Sequence, residues 1–325
     1  MPKMQDAHID RALTNISVSY LQDASAFIAD KVFPIVPVKR QSDVFYTYNK
    51  GDFMRDEAQL RGAGTESAGG DYGVEAADPY YCRKHAFHKD VTEEERVNYD
   101  EPLDADTDAT DFVSQKMLIR REMEWASKFF TTGVWGTEIT GKAANPSTGE
   151  TIQWDQATSN PIADITNAAV AMAAATGYKP NTLVLSPYAF NALKNHEDIL
   201  DRIKYTQKGI VTADLLATLF EVEHVYVAWG VVNSAKKGAT DAVDFIMGKN
   251  ALLCYAAPRP ALRKPSAGYI FAWTGLEGSG AYGNRIVRLP MDQLGLGTER
   301  IEGEIAFDVK KVCGDLGCFF KGIVG

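Results

Sequence analysis

Only four of the chain's 325 residues are cysteine, too few for a disulfide scaffold at this length. Cys82 and Cys254 stand alone. Cys313 and Cys318 lie five positions apart, with no second pair of cysteines or histidines nearby to complete a zinc site. Positive charge is also in short supply: 34 Lys and Arg against 43 Asp and Glu leave a formal net charge of -9. Such a chain is poorly suited to neutralising phosphates, which argues against a dedicated nucleic-acid binder. An acidic surface can still face DNA at a distance, as a container wall does. The opening MPKMQDAHID lacks the hydrophobic region of a signal peptide. The longest weakly polar run, 168–176, is mostly alanine and far too short to span a bilayer. The expectation is a protein of a cytoplasm-like compartment that makes no contact with a membrane.

What is present is ordinary globular material. Hydrophobic residues make up 45% and charged residues 24%, enough for a sizeable core, and the length suggests two domains. Residues 1–37 carry short apolar bursts (Ile16, Val18, Tyr20, Leu21, then Phe27, Ile28, Val32, Phe33) that run into Pro34 and Pro37. Asp23 is placed to cap a short helix over 24–32. No longer period follows, so the segment reads as an arm that lies on something else. In residues 38–92, Val44, Tyr46 and Tyr48 alternate with Phe45, Thr47 and Asn49, which predicts a strand, and 79–91 predicts a returning one. Between them, glycines at 51, 62, 64, 69, 70 and 73 mix with charges, and large apolar residues are few. The pattern is a long two-stranded excursion with a glycine-rich tip, whose unpaired edges invite another chain. Phe53, Arg55, Asp56, Glu57, Leu60 and Arg61 are its candidate contacts with a neighbouring subunit.

The clearest helix is predicted over 106–135. Asp104, Asp106, Asp108 and Asp111 crowd its start, where the dipole favours negative charge. Phe112, Ile119, Met123, Ala126 and Phe130 follow at helical spacing. A polar loop with a hairpin around 146–149 fills 137–160. Residues 161–264 read as α/β: an alanine-rich helix over 162–176 stopping at Gly177, a strand 182–185, the N-cap Ser186 before Pro187 and a helix 188–195. A helix 212–220 and strands 222–229, 242–247 and 251–256 complete it. Residues 265–325 are rich in strands, at 269–274, 284–289, 300–312 and 318–324.

Chemical motifs fail on context. Gly278, Gly280 and Gly283 match a dinucleotide fingerprint, but a strand rather than a helix is predicted after them. Asp104, Asp106 and Asp108 open like a calcium loop, yet Ala109 stands where the turn needs glycine and Gln115 where a bidentate Glu belongs. His85 and His88 point to opposite faces of a strand. His196-Glu197 begins a metalloprotease motif, but Leu200 occupies the second histidine's place. No nucleophile elbow occurs. Asn15-Ile-Ser17 matches a glycosylation acceptor without secretory context. These readings predict no catalytic residue, metal site or cofactor, and no enzyme.

Three blocks carry a resemblance. They are AFIADKVFPIVPVKRQSDVFYTYNKGDFMRDEAQLRGAGTES at 26–67, YKPNTLVLSPYAFNALKNHEDILDRIKY through VTADLLATLFEVEHVYVAWG within 178–230, and IMGKNALLCYAAPRP at 246–260. Together with the order of elements they resemble the major capsid proteins of tailed bacteriophages. The resemblance implies an α+β fold with an N-terminal arm (1–37), an extended β-hairpin loop (38–92), a peripheral domain with a long spine helix (93–160 and 265–325) and an axial α/β domain (161–264). It implies self-assembly into an icosahedral shell of pentamers and hexamers enclosing double-stranded DNA, read without sequence specificity. The loop would lie over a neighbouring subunit and the axial domain would point to the capsomer centre. A separate scaffolding protein is expected, since no long scaffolding region precedes the arm, along with a portal protein at one vertex; a decoration protein is left open. The location implied is the virion, with assembly in the bacterial host cytoplasm. Lys50, Lys84 and Lys89 lie in or near the loop, and nothing marks one as a crosslinking lysine. Two alternatives stay open: a nanocompartment shell of the same fold, and a soluble α/β enzyme with a long insertion.

Overall fold

Two sheets organise the chain, in a computed structural model that describes residues 21–76, 78–99, 104–203, 211–260 and 264–325. The expectations for Ile16, Val18, Tyr20 and the Asn15 motif lie outside the described residues. The axial sheet has six strands, in the order His224–Val227, Thr182–Leu185, Ala251–Cys254, Gly317–Lys321, Thr137–Lys142 and Glu150–Ile152. Its strands Thr182–Leu185 and Ala251–Cys254 are buried at every position because both faces are covered. Side chains alternate across a strand, so Leu183 and Leu185 enter one core while Val184 enters another. In the C-terminal strand, Cys318 and Phe320 face the first core and Phe319 the second.

The 265–325 stretch was expected in the peripheral domain, yet its last strand sits between Ala251–Cys254, antiparallel, and Thr137–Lys142, parallel. Burial on both faces explains the placement: a strand bearing Cys318, Phe319 and Phe320 has no polar side to turn to water. The expected hairpin around 146–149 is not formed. Thr137–Lys142 and Glu150–Ile152 run parallel, linked through Asn145 and Gly149 at positive φ.

Local signals are realised along the axial region. Helix Pro161–Thr176 ends on Gly177 in the left-handed conformation, and its N-cap Asn160 accepts from Ala163. The Ser186 side chain caps Pro187–Asn195, and Thr212 caps Ala213–Leu219. A further helix, Glu197–Ile203, and strand Val231–Asn233 went unread.

The second sheet has five strands and is organised by Glu299–Lys311, which pairs antiparallel with Arg83–Val91, Asn284–Pro290 and Gly268–Trp273. Strand Ile35–Val38 adds to Gly268–Trp273 in parallel. The spine helix Ala105–Phe129 lies against this sheet. Its 25 residues make a rod of about 37 Å at ~1.5 Å per residue, shorter than 106–135 predicts because the helix stops at Phe130, ahead of Gly133. The buried residues of the helix are Ala105, Ala109, Val113, Gln115, Glu122, Trp125, Ala126 and Phe129, and of the predicted face Ala126 and Phe130 are buried. Phe112 and Met123 are exposed. Small residues at the front of the stripe and Gly303 on the sheet set the phase: a Cβ at Gly303 would stand 2.4 Å from Val113 Cγ1, so only glycine admits the helix that close.

The C-terminal part of the arm is not a coreless appendage. A 3-10 turn Ala24–Ala26, with Asp23 accepting from Ser25, and a helical turn Ala29–Val32 replace the single predicted helix. Phe27, Ile28, Ala29, Val32 and Phe33 are buried. Phe33 meets Phe129 edge-on at 4.8 Å and lies near Trp125 and Trp135. What the arm lies on, over these residues, is its own chain.

Candidate subunit-contact surface

The excursion between the arm and the five-stranded sheet is a thin ribbon. Ser42–Asp43 pairs antiparallel with Tyr80–Tyr81, and Tyr46–Tyr48 with Val74–Ala76. Beyond this the chain turns through a helix Lys50–Met54, whose N-cap Asn49 accepts from Gly51. Asp52 Oδ2 accepts from Gly73 at 3.0 Å, tying the two sides of the tip together. Tyr48, Phe53 and Tyr72 form a small aromatic knot, with ring centres 5.3–6.0 Å apart. A ribbon with two strands has no second layer to cover it, and its apolar side chains Val44, Tyr46, Phe53, Met54, Leu60, Tyr72 and Val74 are exposed.

All six candidate contacts lie on this ribbon's outer part and face solvent in the lone subunit. Phe53 is 62% exposed and Leu60 fully so. Arg55 pairs with Asp52 at 3.4 Å and Glu57 at 3.8 Å, so its charge is met locally. Arg61 donates from Nε to the Thr65 carbonyl at 2.6 Å. Asp56 is exposed beside them. Lys50 pairs with Asp315 of the body, which raises its pKa. Lys84 pairs with Glu304 and Lys89 with Glu95. Sequence reasoning missed a second apolar patch on the axial domain, where Trp229, Tyr188 and Val243 are exposed around Phe245. Trp229 beside Gly230 was the signal available. It was absorbed into a strand that in fact ends at Val227.

Groups able to do chemistry are used structurally. His196 Nε2 lies 3.0 Å from Ser159 Oγ, with Asp198 nearby, in the manner of a catalytic triad. The resemblance fails on hydrogen bonding. His196 Nδ1 accepts the Asp198 backbone amide, so Nε2 carries the proton and cannot take one from the serine. Ser159 donates to the Gln156 carbonyl at 2.7 Å, and Ser159 and His196 are both buried. Burial pushes the Cys82 and Cys318 thiols up to about 12, far from a reactive thiolate. Asp104 is an N-cap, accepting from Asp106 and from Thr107 Oγ1. Gly283 sits at a tight turn into a strand: a Cβ there would stand 2.4 Å from the Ala306 carbonyl oxygen. The glycine is needed for strand packing rather than for a phosphate. Among the described residues no cluster of His, Cys, Asp and Glu could hold a metal ion, and no helix is long and apolar enough to cross a membrane.

An arm running onto a spine helix, an extended ribbon, a sheet under that helix and an axial α/β unit define the tailed-phage capsid fold. Solved structures share it across nearly the whole chain. A phage-related protein from Bordetella bronchiseptica superposes with a TM-score of 0.69 at 23% identity, over 97% of both chains. The mature capsid of bacteriophage PhiM1 gives 0.60 at 9% identity, over 94% of this chain and 89% of that one. The SrpI encapsulin of Synechococcus elongatus gives 0.56 at 10% identity, over 97% and 96%. In sequence, the family described as phage major capsid protein E matches residues 142–260. The major capsid protein of Pseudomonas phage JBD67 is 26% identical over 97% of both chains, and that of Burkholderia phage BcepMu 26% identical over 76% of both. By fold the chain is of the tailed-phage capsid type, and in sequence it is similar to phage major capsid proteins.

Proposed function

We propose that copies of this chain assemble through pentamers and hexamers into a closed icosahedral shell around a phage's double-stranded DNA. The observation that carries this reading is the ribbon of residues 42–81. Tyr46, Phe53, Leu60, Tyr72 and Val74 are exposed on it, and among the described residues its two short strand pairs join no further strand, an arrangement that invites pairing with another chain. Burying Phe53, Leu60 and Tyr46 on a second copy recovers about 25 cal/mol per Å² of apolar area and offsets the backbone entropy lost by the glycine-rich tip. In this reading residues 161–264 are the axial domain at the capsomer centre, and the sheet with the spine helix is the peripheral domain. The six residues Phe53, Arg55, Asp56, Glu57, Leu60 and Arg61 contact the neighbour. A separate scaffolding protein, a portal protein at one vertex and, where one exists, a decoration protein complete the assembly, which takes place in the host cytoplasm.

Light scattering and electron microscopy of the purified protein test the reading. The expected result is large closed particles or discrete capsomers; a stable monomer at every salt and protein concentration would overturn it. The structural likeness to an encapsulin favours a second reading, a nanocompartment shell. Analysis of the contents of particles recovered from the native source separates the two: genomic DNA supports the phage shell, and a protein cargo the compartment.

A further inference from the structure

The arm is joined to the spine helix by one buried carboxylate. Glu122 has no exposed surface, and both of its oxygens are turned to the arm. Oε2 accepts the Ala29 amide at 2.9 Å and the Ile28 amide at 3.1 Å, and Oε1 accepts the Ile28 amide at 3.3 Å. The turn Ala29–Val32 has no side-chain cap of its own, so these amides depend on a residue more than ninety positions away. Ile28, Ala29 and Phe33 of the arm share one apolar core with Trp125 and Phe129 of the helix that carries Glu122. The charged groups that face it are Arg121 from its own helix and Asp30 from the arm. These two pair with each other at 3.2 Å, and among the described residues Glu122 has no ion pair of its own. Lys31 is engaged elsewhere, donating to the Ser25 carbonyl. The junction is incompletely satisfied: Asp30 Oδ1, Arg121 Nε and Trp125 Nε1 are buried without a hydrogen-bond partner among the described residues. Groups left in that state weaken a contact relative to a fully bonded one.

We infer that this junction is a clasp whose grip depends on a proton: Glu122 in its neutral form holds the arm on the subunit's own spine helix, and in its ionised form loosens it. The neutral carboxyl keeps a carbonyl oxygen for the two amides and carries no charge into the aromatic core. The ionised form keeps the same acceptors but must hold a charge away from water, which is costly where no partner neutralises it. Burial pushes this carboxyl up to about 7, with the Ala29 and Ile28 amides pulling the other way. Its value rises on closing, so the clasp is strongest below the ordinary carboxylate range. It weakens as pH rises from there to about 7, and is weakest and constant above that. The inference concerns the lone subunit and stands whether or not the shell reading holds. Its consequence is that a subunit at neutral or higher pH has an arm more readily given up to another contact.

Amide hydrogen exchange on the full-length, unassembled subunit between pH 6 and 8.5 tests the clasp. The reporters are the Ile28 and Ala29 amides, with Val184, buried in the axial sheet, as the reference. After correction for intrinsic exchange, the opening constant at Ile28 and Ala29 should rise roughly tenfold per pH unit on approach to pH 7 and level off above it. The Val184 amide, which opens only with the whole subunit and carries the same linkage, should have a smaller opening constant at every pH. In Glu122→Gln, which keeps an acceptor oxygen and cannot ionise, the step should vanish. An equal step in Glu122→Gln overturns the proposal, as does a wild-type opening constant that does not change with pH. Should Glu122→Gln fail to fold, the wild-type series decides alone: opening constants at Ile28 and Ala29 equal to that of Val184 at every pH report global unfolding and overturn the clasp, and larger ones that carry the step support it.

Discussion

Residues 27–33 and residues 49–73 both leave the regular structure without a core of their own, and they meet opposite fates. The first stretch is buried against the spine helix, with Phe33 lodged among Trp125, Phe129 and Trp135. The second stays open, with Leu60 fully exposed. Composition accounts for the difference. Phe27, Ile28, Ala29, Val32 and Phe33 are dense enough to repay the entropy of ordering a short segment. The loop spreads Phe53, Met54, Leu60 and Tyr72 among glycines and charges, and all four stay exposed. An arm that folds onto its own chain and a loop that waits for another are therefore separable, and each is open to attack.

The largest effect is expected from Phe33→Ala, which empties a fully buried aromatic site and costs about 3–5 kcal/mol, a large share of the ~5–15 kcal/mol that holds a domain. Denaturant unfolding measures it; a shift no larger than that of a surface substitution would show that the arm isn't anchored there. Ile119→Pro attacks the surface on which the arm rests. Proline inside the spine helix removes a hydrogen bond and clashes with the preceding turn, at about 3 kcal/mol or more, and no soluble particles are expected. An unchanged particle yield by sedimentation would contradict the role given to Ala105–Phe129. Gly303→Ala forces Val113 away from the sheet and is expected to cost about 1–3 kcal/mol, read as a lowered melting temperature with the secondary structure intact.

Limited trypsin digestion compares the two stretches directly. In lone subunits, Arg55 and Arg61 should be cut well before Lys31, and in particles Arg55 and Arg61 should become protected. Equal protection in both states would place the ribbon on its own body and remove the main physical argument for a shell contact. The smallest effect on the subunit is expected from Phe53→Ala, within about 0.5 kcal/mol of unfolding free energy, while the protein concentration needed for assembly rises. Unchanged assembly by light scattering would take Phe53 out of the contact.

Much of the axial region was legible because its signals are local. Ser186 before Pro187, Thr212 ahead of a helix and Gly177 behind one act within a few residues of themselves, and the ribbon of residues 42–81 was marked by alternation and glycine. The candidate surface was legible only as a segment: the sequence placed six residues on an excursion, while the knot of Tyr48, Phe53 and Tyr72 and the patch around Trp229 needed coordinates. The spine helix shows why. Its acidic start was readable and Ala126 and Phe130 of the predicted face are buried, yet Phe112 and Met123 are exposed, because a stripe containing Ala105, Ala109 and Glu122 does not look apolar.

By itself, then, the sequence determined the ends of the elements that carry their own cap or stop, as at Gly177, Ser186 and Thr212, and which loop lacks a core. Each of these follows from period, capping chemistry and composition within a short window. Only the tertiary structure decided that the last strand inserts into the axial sheet, that Glu122 is buried to hold Ile28 and Ala29, and that Gly303 draws the spine helix onto the sheet. Those outcomes depend on which distant surfaces meet, and side-chain burial there is settled by partners that lie up to hundreds of residues away.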